Sequence, residues 1–331
     1  MSISRSQFIQ KSPLINQVRE VIRLDHKSLR TEDAYIYWIT DFVFFHGVKT
    51  HPAEMGEAEV TAYLSHLASE RNVAAATQNQ AFNAILFLYS RVLNRSLGVV
   101  NARRATRPTT VPVILSKPEL TRLFAALDEP WRLLARLGYG TGLRLMELLR
   151  LRVKDFDFDN FTLQVWFGKG DKSRLVPMPT SLVNQLQEQV NRVRIFHQID
   201  CKNGYGSVWL PHALETKWPK AATDLKWQWA FPSPQICRDP RSGQERRHHL
   251  FPTGFQAALR NAAQRVGITK RVSPHILRHS GATHLLEMGK SIVEVKDWLG
   301  HKDIKTTMIY THVVNVKKGQ PTPVDCLCDH G

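Results

Sequence analysis

Residues 300–312 read Gly-His-Lys-Asp-Ile-Lys-Thr-Thr-Met-Ile-Tyr-Thr-His, and this run constrains the fold and chemistry of the chain more than any other. Tyr310 stands nine residues after His301 in this run. A tyrosine hydroxyl forms covalent intermediates when neighbouring groups activate it. A phosphate-attacking tyrosine needs fixed positive charges around it, so the rest of the chain must supply them.

Three motifs upstream of this run carry charged or titratable side chains. They are Thr-Gly-Leu-Arg at 141–144 with Glu147, Gly-Lys-Gly at 168–170, and His-Ile-Leu-Arg-His at 275–279. A phosphodiester under attack gains negative charge on its non-bridging oxygens, and an enzyme stabilises it with cations fixed beforehand. Guanidinium groups match phosphate oxygens and keep their charge, so Arg144 and Arg278 suit this role without a metal ion.

The leaving oxygen of the broken strand needs a proton. Lys169 is a suitable donor because it stands in a predicted hairpin tip, Gly168–Ser173, and His275 is expected to help as an acid or base. His275 and Arg278 are three residues apart, a spacing that places both on one face of a helix.

The order and spacing of these motifs resemble the active site of tyrosine site-specific DNA recombinases, including the phage-integrase and Xer types, over most of the chain. The matching residues are Arg144, Lys169, His275, Arg278, His301 and Tyr310. The resemblance implies that Tyr310 forms a 3′-phosphotyrosyl bond with DNA and that Glu147 helps to hold the site together. It implies no ATP, metal or other cofactor.

Each residue taken alone has an ordinary explanation. A tyrosine in this position is usually a packed aromatic side chain, and Arg144 with Glu147 also fits a surface pair at i,i+3. The His-x-x-Arg pattern also fits a solvated helix face. The hypothesis rests on the set and its order. In the resembling family an aromatic residue usually follows Arg278 by three positions, whereas this chain has Gly281, so we expect looser local packing there.

The composition favours a polyanionic partner. The chain has 331 residues, a net charge of +16 and 45 Lys plus Arg against 29 Asp plus Glu. Positions 116–331 hold 32 basic and 20 acidic residues, against 13 and 9 in positions 1–115, so most of the positive field lies downstream. DNA is the expected partner, with a membrane surface as the rival.

Several features favour a cytoplasmic protein. No apolar run approaches the roughly 20 residues of a membrane-spanning helix, and residues 1–6 lack the apolar core of a signal peptide. The cysteines lack the spacing of a zinc site, apart from an isolated Cys-x-Cys pair at 326–328, so we expect reduced thiols and no metal.

The periodicity predicts a mostly α fold with a small β-sheet (α+β). Helical stripes over 29–46, 57–70 and the region around Phe82–Leu93 predict a helical N-terminal domain at 1–100, with Ser28 as one N-cap. A basic segment at 101–115 reads as a linker, and Ser116 with Glu119 forms a predicted capping box. Alternation around residues 161–178 predicts a hairpin, and helical stripes dominate from about residue 181.

The resemblance adds an arrangement for these parts. It implies a SAM-like core-binding domain, a catalytic domain at 116–315 and a tail at 316–331. The two domains would form a C-shaped clamp on DNA, and four protomers would assemble on two sites.

An insert resembles that of integron integrases. Lys169 and His275 are 106 residues apart, and the extra segment, at about 205–235, is rich in aromatic and basic residues. This subfamily recombines double-stranded attI sites and folded single-stranded attC sites, whose unpaired bases can stack on aromatic side chains. The expected stacking residues are Trp166, Trp227, Trp229, Pro232, His248 and His249. For each of them, a place in the core beside the insert is the competing interpretation.

Three other functions fit part of the pattern. A phage-type or Xer-type recombinase would act on duplex sites. A type IB topoisomerase uses a similar residue set but relaxes supercoils. A DNA-binding regulator with an inactive site would need only the positive charge. Covalent trapping of DNA separates the enzymes from the regulator.

Overall fold

The computed structural model describes residues 4–25, 27–48, 50–102, 105, 112–166, 173–210, 214–239 and 242–311. The chain divides into two compact units, residues 1–110 and 111–331. Most of the expected linker and the whole expected tail lie outside the described residues. The clamp shape stays a prediction.

The first unit is helical. Ser28 caps α3 by accepting a hydrogen bond from the Thr31 backbone N–H at 3.2 Å, which confirms the predicted helix start. The described helices are α1 (Arg5–Lys11), α2 (Pro13–Leu24), α3 (Leu29–Phe45), α4 (Glu57–Ser69) and α5 (Ala75–Phe87), and a π-helical turn, Leu88–Val92, follows α5. Their apolar faces meet in one core that includes Ile39, Phe42 and Ile85.

The second unit joins nine α-helices with two small sheets in its described part. Ser116 and Glu119 form the predicted capping box at its first helix. The helices are α6 (Lys117–Ala125), α7 (Trp131–Thr141), α8 (Leu145–Leu149), α9 (Val183–Lys202), α10 (Leu214–Lys217), α11 (Pro252–Arg265), α12 (Pro274–Glu287), α13 (Ile292–Leu299) and α14 (Lys305–Met308). The fold is mostly helical with small sheets, as predicted.

The first sheet contains the predicted hairpin. β1 (Phe156–Asp157), β2 (Thr162–Val165) and β3 (Arg174–Pro177) pair antiparallel in this order, and Val165 faces Arg174 across the ladder. The alternation of buried and less buried residues along β2 explains why the sequence pattern detected it.

The second sheet was not predicted. β4 (Pro232–Arg238) and β5 (Glu245–His249) form an antiparallel hairpin where helical stripes were expected. These strands read Pro-Ser-Pro-Gln-Ile-Cys-Arg and Glu-Arg-Arg-His-His, with little alternation of apolar and polar residues. The periodic signal of a half-buried strand is therefore missing.

Helix α12 passes close to α7 at Gly281. A Cβ at Gly281 would lie well inside van der Waals contact with the backbone oxygen of Tyr139 on α7. The expectation of looser packing at this glycine is therefore wrong. The absence of a side chain lets the two helices approach, which brings the residues of α12 against the end of α7.

Candidate active site

Arg144 is placed by the corner between α7 and α8. Gly142 ends α7 with a φ of 62°, a left-handed conformation that glycine adopts without Cβ strain. Arg144 then stands at the N-cap of α8, where its backbone N–H donates to Glu147 Oε2 at 3.0 Å. Its guanidinium donates to the backbone oxygen of Gly300 at 3.0 Å. The side chain is thus fixed between the start of α8 and the end of α13.

Glu147 joins two arginines. Its carboxylate accepts from Arg144 Nη1 at 2.8 Å, and from Arg174 Nη2 at 2.8 Å and Nη1 at 3.2 Å. Burial alone would raise the pKa of Glu147, but the hydrogen bonds and charge of Arg174, with the hydrogen bonds of Arg144, lower it to about 2. Glu147 is therefore ionised at neutral pH and holds both guanidinium groups in position.

Arg278 is buried on α12. Its side chain donates through Nη1 to the backbone oxygen of Gly142 and through Nη2 to that of Leu299 at 2.8 Å. Burial, and next the charge of Arg144, lower the pKa of Arg278 to about 10, so it remains protonated at neutral pH. The carbonyl ends of α7 and α13 thus hold this cation, which suits the negative end of each helix dipole.

His301 follows Gly300, which ends α13 with a φ of 65°. Its Nε2 lies 2.9 Å from Arg278 Nη2, and its Nδ1 lies 2.8 Å from Thr307 Oγ1. Burial, and next the charges of Arg278 and Arg144, lower the pKa of His301 to about 4. Because Arg278 only donates, Nε2 accepts and the proton of the neutral ring lies on Nδ1. His301 therefore orients the guanidinium of Arg278.

Tyr310 lies just after α14 and is only 1 % exposed. Its hydroxyl is 2.7 Å from Nδ1 of His279, and its ring stacks on His301 with 6.4 Å between centroids. Burial raises the pKa of Tyr310, and the charges of Arg278 and Arg144 offset part of this effect. The phenol is therefore protonated at neutral pH in the DNA-free protein.

His275 and Lys169 stand differently. His275 is exposed at the start of α12, and its ring meets that of His279 edge-on at 4.3 Å between centroids. Lys169 lies outside the described residues. Of the six residues predicted from the motifs, the structure brings together Arg144, His275, Arg278, His301 and Tyr310.

The arrangement has the parts of a phosphoryl-transfer site. The guanidinium groups of Arg144 and Arg278 are held in fixed positions by their hydrogen bonds. Fixed positive charges of this kind stabilise the negative charge of a phosphorane-like transition state. A phenol stands beside them with a neutral imidazole on its hydroxyl. In the described part of the chain, no group of three His, Cys, Asp or Glu side chains is placed to hold a metal ion.

The expected stacking residues fall into an exposed and a buried set. Trp166 is 46 % exposed at the end of β2 and donates through Nε1 to Asp155 Oδ1 at 2.7 Å. Lys154 Nζ lies 4.0 Å from the ring centre of Trp166 and 4.3 Å from that of Trp227. Pro232, Trp227 and His248 are partly exposed. Trp166, Lys154 and Trp227 thus form one aromatic and basic surface at the end of β2.

Trp229 and His249 belong to the core instead. They are each 3 % exposed, and the guanidinium of Arg152 lies 3.9 Å from the ring centre of Trp229. Their placement follows the competing interpretation, in which tryptophans fill a core beside the insert. Their side-chain nitrogens Trp229 Nε1 and His249 Nε2 have no hydrogen-bond partner among the described residues, and neither has Nδ1 of the adjacent His248.

Two residues of the site were missed by the sequence motifs. Arg174 begins β3 and binds Glu147, although the sequence reading treated it only as part of the hairpin. The motif at 275–279 includes His279 but gave no role to it, whereas in the structure it contacts the hydroxyl of Tyr310. A basic residue directly after the Lys169 hairpin tip, and a second histidine at i+4 from His275, were the available signals.

In the described part of the chain, no helix combines the length and apolar character needed to cross a membrane.

Two family models match the chain. The model of the phage integrase family covers residues 114–316, and that of the phage integrase N-terminal SAM-like domain covers residues 14–99. Together they leave only short segments of the chain unmatched.

Curated relatives agree with these matches. A protein named integrase/recombinase from Escherichia coli is 46 % identical over 316 residues, which are 95 % of this chain and 94 % of the relative. One of the same name from Pseudomonas aeruginosa gives the same values. Tyrosine recombinase XerD of Agrobacterium fabrum is 31 % identical over 276 residues, with 77 % of this chain and 76 % of XerD covered.

Solved structures share the fold. The XerH site-specific recombinase bound to a palindromic difH substrate superposes with a TM-score of 0.59 at 19 % identity, covering 94 % of this chain and 82 % of XerH. The Tn1549 transposon integrase in complex with transposon right end DNA gives 0.60 at 13 % identity, covering 96 % and 98 %.

Proposed function

This chain belongs to the phage integrase family of tyrosine recombinases, which are DNA strand-exchange enzymes, and we propose that it is an integron integrase with Tyr310 as its nucleophile. The observation that supports the nucleophile is the convergence of the Tyr310 phenol with Arg144, Arg278 and His301 in one connected set of hydrogen bonds and ring contacts. In this proposal the enzyme inserts and excises gene cassettes.

The proposed reaction conserves the energy of the phosphodiester. Tyr310 Oη attacks the phosphorus, the bond from phosphorus to the 5′-oxygen breaks, and a 3′-phosphotyrosyl bond forms. Arg144 and Arg278 bind the non-bridging oxygens, Glu147 holds Arg144, and His301 holds Arg278. Lys169, assisted by His275, gives the 5′-oxygen its proton. The free 5′-hydroxyl of another strand then reverses the attack.

The integron assignment is supported by the surface around Trp166. An exposed indole, Trp166, and a lysine that lies against two indole rings, Lys154, form this surface. Unpaired bases of an attC hairpin present stacking faces next to a charged backbone, so they complement the exposed indole and the lysine. A duplex-reading recombinase needs no such combination. Of the six candidate stacking residues, Trp166 gives the strongest support to the proposal because its ring is accessible.

The assembly follows from the same proposal. We infer that four protomers act on two sites, one an attI duplex and one a folded attC strand. The segment from residue 316 onward, which the family resemblance would place against a neighbouring protomer, lies outside the described residues.

The first experiment traps the covalent intermediate. The purified chain is incubated with an attC-type hairpin carrying extrahelical bases and with its completely paired counterpart, and adducts are resolved on a denaturing gel. We expect adducts on the bulged hairpin and few on the paired one. Equal adducts on both would favour a recombinase or topoisomerase that acts on duplex DNA, and none on either would favour an inactive DNA-binding protein.

Two variants sharpen this assay. Tyr310→Phe should abolish the adduct, whereas Tyr139→Phe, which removes a hydroxyl bonded to His284 at 2.8 Å, should retain it. Trp166→Ala should reduce adducts on the bulged hairpin about tenfold, since one stacked base contributes about 1–3 kcal/mol. A Trp166→Ala protein that still prefers the bulged hairpin as strongly as the wild type would remove Trp166 from the proposal.

A further inference from the structure

His279 lies beside the hydroxyl of Tyr310 and has no role in the mechanism proposed for the other site residues. It follows Arg278 directly on α12, and its Nδ1 lies 2.7 Å from Tyr310 Oη. The two rings are 5.3 Å apart between centroids and inclined by 56°. The phenol is buried, so this imidazole replaces the water that would otherwise solvate its hydroxyl.

The other histidines of the site are engaged elsewhere. His301 uses Nε2 for Arg278 and Nδ1 for Thr307. His275 is exposed and its ring meets that of His279. Of the three, His279 is the one whose ring nitrogen lies within hydrogen-bond distance of the phenol oxygen.

His279 is also in the protonation state that allows its ring to accept the phenol proton. Burial, and next the neighbouring His275 and Arg278, lower the pKa of His279 to about 4, so the ring is neutral near pH 7. A neutral imidazole has one nitrogen with a free lone pair, which can accept a hydrogen bond. A phenol O–H is a stronger donor than an imidazole N–H, so the Tyr310 hydroxyl donates to Nδ1 of His279. A bound phosphate would raise the basicity of this imidazole, because its negative charge offsets Arg144 and Arg278.

We propose that His279 is a further catalytic residue, which accepts the Tyr310 Oη proton on its Nδ1 as that oxygen attacks phosphorus and returns the proton when the strand is rejoined. The inference rests on the proposed role of Tyr310 as nucleophile. In the cleavage step the Oη–P bond forms, the P–O5′ bond breaks, the phenol proton moves to Nδ1, and the 5′-oxygen receives a separate proton from Lys169. Rejoining reverses each of these transfers.

The same helix carries a matched pair for comparison. His284, also on α12 and buried, lies with its Nδ1 2.8 Å from the hydroxyl of Tyr139, and the two rings are 5.9 Å apart. Both pairs join a histidine of α12 to a tyrosine hydroxyl. His284→Gln therefore reproduces the packing change of His279→Gln away from the cations and Tyr310.

The kinetic test measures the rate of adduct formation on the bulged hairpin with an ordinary phosphodiester and with a 5′-bridging sulfur at the cleaved bond. Sulfur leaves without a proton, so it restores variants that lack the acid but not those that lack the base. We expect His279→Gln to slow adduct formation about 100-fold with either substrate, within the usual range for a general base. Lys169→Ala should form the adduct slowly only with the ordinary phosphodiester, whose 5′-oxygen needs a proton. His284→Gln should form the adduct near the wild-type rate with both substrates.

Two further readouts separate proton transfer from packing. Added imidazole should restore part of the rate of His279→Ala, because a free base can enter the space left by the ring. Nitrogen NMR shifts of the DNA-free protein should report His279 Nδ1 as an unprotonated acceptor, and this signal should move in Tyr310→Phe. Thermal unfolding and DNA binding of each variant confirm that it is folded.

The outcomes keep the two proposals apart. A wild-type rate in His279→Gln, rescue of that variant by sulfur, or an Nδ1 that is protonated and unchanged in Tyr310→Phe would each overturn the role of His279. Adducts that persist in Tyr310→Phe would instead overturn the nucleophile. The NMR measurement needs no substrate, so it tests the His279 contact even where no hairpin yields an adduct.

Discussion

The carboxylate of Glu147 illustrates how much of the site depends on one group. It is the shared acceptor of Arg144, at the start of α8, and Arg174, at the start of β3. These arginines come from separate elements, so the helix and the sheet meet through this residue. A buried charge that loses its partner is destabilising, and here two cations would lose theirs at once.

We therefore expect Glu147→Gln to lower the free energy of unfolding by roughly 3 kcal/mol, as urea denaturation would measure. The same variant should slow adduct formation, because Arg144 loses its orientation. Glu294→Gln is the control, since that exposed carboxylate binds Lys290 and the N-terminus of α13. Similar unfolding midpoints for the two variants would contradict the structural role of Glu147.

Helix α12 presents three of the side chains proposed to react, and it can do so because it approaches α7 closely. Gly281 permits this approach, and Gly142 lets α7 turn beneath Arg278. The same helix carries His275, Arg278 and His279, so a small shift of α12 moves several reacting groups together.

Gly281→Ala should destabilise the second unit by about 1–3 kcal/mol, the usual effect of inserting a methyl group into a tightly packed place. It should also reduce adduct formation, because α12 must move away from Tyr139. Gly254→Ala on α11 is a milder counterpart, since its Cβ would lie 3.2 Å from a Trp131 ring carbon. Equal stability of the Gly281→Ala and wild-type proteins in thermal melts would show that α12 adjusts freely.

The protein as a whole should lose stability with falling pH in two successive ranges. His249, His279 and His301 have pKa values lowered to about 4 in the folded state, chiefly by burial, below the usual value of 6.5. The unfolded chain thus binds more protons, and the stability present above pH 6.5 is lost as pH falls towards 4. Glu147, with its pKa lowered to about 2 from 4.5, adds a loss between pH 4.5 and 2.

Urea midpoints measured from pH 8 to pH 3 would test this order. In His279→Gln the decline between pH 6.5 and 4 should be shallower, because one of the three histidines with a pKa lowered to about 4 is absent. A decline identical to that of the wild type would mean that other groups dominate acid unfolding.

The net charge of +16 should make DNA binding strongly dependent on salt. We expect affinity to fall roughly a thousandfold or more between about 50 and 200 mM salt, the effect of releasing counterions from about six phosphates. Gel-shift titrations would measure the slope. Tyr310→Phe keeps every charge and must give the same slope, and a flat response in both proteins would exclude phosphate contacts as the main source of affinity.

The amino-acid sequence alone predicted the helical character of both units, the first hairpin and the motifs that supply the candidate site. These features depend on residues that are close together in the chain. They are the periodic apolar residues, the capping residues Ser28 and Ser116, and the spacing of His301 and Tyr310. The second hairpin was not predicted, because its strands contain prolines and charged residues instead of alternating apolar and polar residues.

Only the tertiary structure decided which side chains touch. Arg174 meets Glu147 across 27 positions, and His279 meets Tyr310 across 31, distances that no local pattern encodes. It also placed Trp229 in a core and Trp166 at the surface, although both are tryptophans of the same candidate set. Sequence specifies which chemical groups are present, whereas their burial, partners and protonation arise from long-range packing, because that packing sets the solvent and charge around each group.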